Sequence, residues 1–164
     1  MAYSNRSLAW IAKKNYDKAL ADCDAAIRLD AKFALAYNNR AVAYLHEKEY
    51  ARAVADCDVA IRLDPNDATA FENAAWILST CPVERVRNGK RAVELATKSC
   101  EMAGWKDPTA CVILAVSCAE AGDFDSAIKY EEKAAALNPD SATFAKLSKL
   151  RVALYKQHKP YREE

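Results

Sequence analysis

More than half of the residues from Tyr3 to Asp30 return thirty-four positions later, in the same order. Tyr3, Asn5, Arg6, Tyr16, Ala19, Asp22, Cys23 and Asp24 reappear as Tyr37, Asn39, Arg40, Tyr50, Ala53, Asp56, Cys57 and Asp58. Ala26, Ile27, Arg28, Leu29 and Asp30 reappear as Ala60, Ile61, Arg62, Leu63 and Asp64. A fixed period of this length signals one supersecondary unit copied along the chain. Within each copy, apolar residues fall at helical spacing on either side of a short break, so the unit is a helix, a turn and a second helix. One such pair buries too little surface to stand alone. It must stack on neighbouring pairs, and roughly three or more copies are needed.

The frame divides the chain into repeats at about 1–33, 34–67, 68–107 and 108–140, with a capping helix at about 141–157. Together they form a single domain over 1–158, and residues 159–164 are a tail. Counting two helices per repeat and the cap gives about nine. Asp64-Pro65-Asn66-Asp67 ends the second repeat: proline cannot continue a helix, and aspartate and asparagine suit turns and amino-terminal caps. The third repeat is enlarged. Between Leu78 and Ala92 it has five residues more than the second repeat has between Tyr44 and Ala53. Cys81-Pro82 ends its first helix, and Asn88-Gly89 is a turn signal. In the last helix Phe144, Leu147, Leu150 and Leu154 form one stripe, with Lys146, Lys149 and Lys156 facing out. No comparable cap precedes the first repeat, so the chain reads as part of a longer protein or as having an end that pairs with another copy.

Small residues stand where paired helices approach (Ala41, Ala53, Ala60), and large ones fill the spaces between (Tyr37, Tyr44, Tyr50). With Pro65, these positions resemble the tetratricopeptide repeat. The first repeat matches through Tyr3, Ser7, Trp10, Tyr16, Ala19 and Ala26, with Ala31 in place of proline. The strings NAAWILSTCP, RNGKRAVELA and GWKDP of the third repeat resemble a variant unit of bacterial proteins of this family. The resemblance implies an all-α fold, a right-handed superhelical solenoid of antiparallel helix pairs, whose first (A) helices line a concave side. It implies a protein-interaction module or scaffold holding a peptide or partner segment in that groove. The alternative is a self-associating structural or regulatory segment of a larger multi-domain protein.

Composition narrows the classes further. Twenty-four basic and 23 acidic residues leave a formal charge of +1, which supplies no general pull toward nucleic acid or an anionic membrane. No apolar run approaches the roughly 20 residues of a membrane span, and no leader is visible. The six cysteines form no C-x-x-C pair and read as free core thiols of a reducing, cytoplasmic compartment. No nucleophile, phosphate-loop or zinc motif is present, so no enzyme, cofactor or metal is expected. Asp22 with Asp24, and Asp56 with Asp58, are two apart on a helix and point to different faces. They read as solvated surface.

The binding surface can be projected through the repeat frame. Leu8, Ile11 and Ala12 face the groove from the first repeat, and Leu35, Asn38, Val42, Leu45 and His46 from the second. Thr69, Glu72, Trp76 and Thr80 follow from the third, and Val112, Val116 and Glu120 from the fourth. Asn5, Asn39 and Asn73 share one repeat position. A primary amide donates and accepts, so three in register would form a ladder reading peptide backbone. Repeat four has Ile113 there. A carboxylate clamp of the chaperone-binding kind is not expected, because the positions it needs hold Leu35 with Asn39, and Thr69 with Asn73.

Overall fold

The computed structural model describes residues 2–162. Met1, and Glu163 and Glu164 of the expected tail, lie outside the described residues. Among the described residues there are nine α-helices and no strand. They are α1 (Ala2–Ala12), α2 (Tyr16–Leu29), α3 (Ala34–His46), α4 (Tyr50–Leu63), α5 (Ala68–Thr80), α6 (Gly89–Met102), α7 (Pro108–Glu120), α8 (Phe124–Leu137) and α9 (Ala142–Tyr155). The enlarged loop before α6 contains one short 3-10 turn, Glu84–Val86.

Local chemistry sets most of these boundaries. Side chains of Asn15, Asp67, Asn88, Asp107, Asp123 and Ser141 each accept a backbone N–H in the first turn of the helix they precede. This satisfies donors that have no partner inside the helix. Gly89 is not a turn residue. It is the first residue of α6, behind the Asn88 cap. A β-carbon there would lie 2.5 Å from Ala121 N and 2.7 Å from Ala121 Cα. The glycine is required by the close approach of α6 to the end of α7.

The helices form an all-α solenoid. Each A helix packs on its B helix and on the B helix of the preceding repeat. Successive A helices also touch one another, α1 with α3, α3 with α5 and α5 with α7, whereas each B helix packs mainly on the A helices beside it. The more closely spaced layer is the inside of a curve, so the A helices form the inner face. The small positions of the frame serve this packing: Ala19, Ala41, Ala53, Ala60, Ala92 and Ala127 are completely buried. Among the large side chains with essentially no exposure are Ile77 and Leu114, each worth about 1.5–3 kcal/mol in burial. The α7 helix goes further. Every residue from Ala110 to Ala119 is buried, because α5, α6 and α8 pack around it.

Charge pairs tie the repeats together, and they correct the reading of the aspartates as solvated. Asp22 and Asp56 are each only 6% exposed. Arg6 donates two hydrogen bonds to Asp22, at 2.7 and 2.6 Å, and Trp10 Nε1 a third. Arg40 does the same for Asp56 and also reaches Asp24 of the preceding repeat at 2.7 Å. Arg91 in α6 pairs with Asp58. The partner of each aspartate lies on another helix, out of sight of helix spacing alone.

The last helix also departs from expectation. Its buried residues are Ser148, Arg151 and Tyr155, while Leu147 and Leu150 are 42% and 52% exposed. The cause sits in α8, where Glu131 has no exposed surface. A buried carboxylate needs a counter-charge, and Arg151 supplies it through a bidentate pair at 2.9 and 2.7 Å. That pair turns α9 so that the expected leucine stripe is only partly covered.

Candidate binding groove

The last helix packs mainly on α8. Between α5, α7 and α9 there remains an open cavity of about 340 Å³. Glu72, Asn73 and Trp76 line one wall, Val112 and Ile113 the floor, and Phe144, Leu147 and Arg151 the far wall. The lining is mostly apolar with a few polar groups, which is the usual composition of a ligand site. Glu72 carries the site's best-defined electrostatics. Burial raises its pKa above the ordinary carboxylate value, and a 2.6 Å hydrogen bond from Ser99 Oγ works against that rise.

Beyond Trp76 the inner face is covered by the chain itself. The segment after α9 returns across it, bringing the Tyr161 ring to 6.1 Å from the Trp76 ring. Arg162 donates to the carbonyl of Ser79 at 3.2 Å and pairs with Glu120. The other oxygen of Glu120 accepts from Arg87 at 3.0 Å, and Arg87 is itself fixed by the carbonyls of Cys81 and Pro82. The enlarged loop of the third repeat therefore positions Glu120.

Two family profiles, each described as tetratricopeptide repeat, match residues 11–68 and 108–141. The chain belongs to the tetratricopeptide-repeat family. Solved structures of similar fold agree. YrrB, described as a tetratricopeptide-repeat protein with an unusual peptide-binding site, is 20% identical with a TM-score of 0.72, over 95% of this chain and 77% of that one. PilF of Pseudomonas aeruginosa is 20% identical with a TM-score of 0.78, over 95% and 68%. MamA of Desulfovibrio magneticus RS-1 is 18% identical with a TM-score of 0.73, over 96% and 89%. At these identities the likeness concerns the fold. No curated protein matches in sequence. Among the described residues of this tetratricopeptide-repeat chain, no cluster of side chains could hold a metal ion and no helix is long and apolar enough to cross a membrane.

The projected groove residues of this tetratricopeptide-repeat chain separate into three groups. Glu72, Asn73, Trp76 and Val112 come together in the cavity. Asn5, Leu8, Leu35 and His46 are exposed farther along the inner layer, with Val42 and Leu45 half-buried; the His46 ring stacks on Tyr16 at 4.6 Å. Val116 is inside the core at 1% exposure.

The asparagine ladder does not form as a free set. The side-chain amide of Asn39 is buried and donates to Ser4 O, Ser4 Oγ and Ser7 Oγ of α1. Asn73 instead donates to Asn38 Oδ1 at 2.9 Å, and Asn38 is itself buried. Serine hydroxyls one helix away claim the amide before a ligand could. Phe144, Leu147, Arg151, Tyr161 and Arg162 lie outside the residues that the repeat frame projects. A signal for α9 was available: residue 142 begins the next thirty-four-residue step after Pro108, which puts the capping helix at the sequence position of a fifth A helix.

Proposed function

We propose that this chain is a protein-interaction module that holds an extended peptide segment of a partner against the inner layer of A helices. The observation that carries this reading is the cavity between α5, α7 and α9. It joins an apolar floor to a half-buried carboxylate and an amide, and Leu8 and Leu35 on earlier A helices of the same layer are also exposed. Apolar side chains of a peptide would enter the cavity, with Glu72 and Asn73 fixing its polar groups.

The test is selection of binders from a random peptide display library against the immobilised full chain, followed by affinity measurement by fluorescence anisotropy. Leu147→Asp places a charge on the cavity wall at an exposed position, and Glu72→Gln removes the half-buried charge. Both should weaken the selected peptides by tenfold or more while leaving the helical circular dichroism unchanged. Peptides bound equally well by both variants would place the binding surface elsewhere.

A further inference from the structure

We infer that the half of the groove beyond Trp76 is a recognition site for an aromatic residue followed by arginine, held in this structure by the chain's own Tyr161-Arg162. This rests on the reading of the inner layer as the binding surface and adds the chemistry of one class of ligand and its regulation.

The geometry is that of a ligand in a site. The Tyr161 ring packs against Trp76 at 6.1 Å, and the Arg151 guanidinium carbon lies over the same ring at 6.0 Å from its centre. Arg151 is itself held by the buried Glu131, so the aromatic slot is built from fixed walls. The next residue changes chemistry. Arg162 leaves the aromatic slot for a polar end formed by the Ser79 carbonyl and the Glu120 carboxylate. The Glu120 side chain is only 12% exposed. Its Oε1 faces Arg87, and its Oε2 faces Arg162. With Arg162 withdrawn, Oε2 keeps no other partner among the described residues, and a desolvated carboxylate oxygen is costly to leave bare. A guanidinium satisfies it best, because its planar fork can reach the carboxylate and the neighbouring carbonyl together.

The occupant is on a short tether. Five residues, 156–160, separate α9 from Tyr161. A segment so tethered competes at an effective concentration on the order of millimolar. A partner bearing an exposed aromatic–arginine pair must displace it. The segment therefore sets a threshold on binding, and removing its two contact side chains removes the threshold.

The experiment uses a fluorescein-labelled hexapeptide, Gln-His-Lys-Pro-Tyr-Arg, identical to residues 157–162, and a second peptide with glutamate in place of its arginine. Anisotropy is measured with the full chain, with the double variant Tyr161→Ala/Arg162→Ala, and with that variant carrying Glu120→Gln as well. The hexapeptide should bind the double variant at least tenfold tighter than the parent. Adding Glu120→Gln should reverse most of that gain, and the glutamate peptide should not bind the double variant. Should Glu120→Gln disturb folding by circular dichroism, the two peptides on the double variant still decide the charge requirement. Equal affinity of parent and double variant overturns the inference, as does absence of binding to both or indifference to the charge of the peptide. Peptides selected for the cavity half and sensitive to Leu147→Asp would leave the broader reading standing in that event. Loss of those peptides' sensitivity, with the aromatic–arginine result intact, would do the reverse.

Discussion

The guanidinium of Arg40 grips both oxygens of Asp56, at 2.6 and 2.8 Å, from the helix sixteen residues earlier. The same group reaches Asp24 in the repeat before, so one side chain joins three helices. The two neighbouring carboxylates hold the Arg40 pKa above its already high ordinary value, which keeps the tie charged at every working pH. Arg40→Ala strands Asp56 as a buried, unpaired charge and should cost about 3 kcal/mol, the low end for a buried pair losing one partner. Arg40→Lys should recover little, because an ammonium cannot form the fork. Urea denaturation of the three proteins measures both effects.

Asp22 predicts an acid limb. Hydrogen bonds and charge from Arg6 hold its carboxyl below the ordinary value of 3.8. A depressed carboxyl favours the folded state above that ordinary value, and the contribution disappears as pH falls through the lower folded value. Melting temperature should therefore drop below about pH 4, and Asp22→Asn should flatten that part of the profile. An unchanged acid limb in the variant would assign it to other carboxylates.

Gly89→Ala should destabilise even though alanine is the better helix former by about 1 kcal/mol. The new methyl meets the backbone of Ala121 rather than a movable side chain, and forced repacking costs about 1–3 kcal/mol. A net loss of about 1 kcal/mol corresponds to about 2–4 °C in melting temperature for a chain of this size.

Tyr155 is completely buried, and its hydroxyl has no hydrogen-bond partner among the described residues. Tyr155→Phe removes a polar group that folding leaves unsatisfied while keeping the ring. It should raise stability by about 1 kcal/mol. A loss instead would reveal a bound water or other partner at that hydroxyl.

The thiols should be silent in the native state. All six cysteines are free and buried, and burial pushes Cys57 and Cys100 up to about 12 and Cys118 to about 11. The thiolate is the reactive form. A colorimetric disulfide reagent at pH 8 should therefore titrate almost no thiol in the folded protein and six after denaturation. Rapid reaction of one native thiol would mark a local opening.

What could be read ahead of the structure was local. Ala41, Ala53 and Ala60 announce close helix approach because only their size matters, and Asp67 or Asp123 announce a helix start because the bond they make is two or three residues away. What could not be read depends on partners beyond one helix. Asp56 is buried because Arg40 sits opposite it, although the joint recurrence of Arg6 with Asp22 and Arg40 with Asp56 carried that signal. Asn39 looks like a ligand-facing amide until Ser4 and Ser7 of α1 take its hydrogens. The leucines of α9 look like its buried face until Glu131 demands Arg151. Glu120 is on the projected groove, but its role needs an arginine from an inserted loop and another from beyond the last helix, and no periodicity encodes either.

The burial of α7 has a mechanical consequence. A helix walled in along ten consecutive residues can unravel only when its neighbours do, while α1 rests mainly on α2 and α3. In a stack whose stability is a sum over adjacent units, wear and opening begin at the amino-terminal repeat and stall at the fourth. Amide hydrogens should exchange in that order. The fourth repeat then acts as the fixed mount of the stack, and the first repeat described is the part that opens most easily.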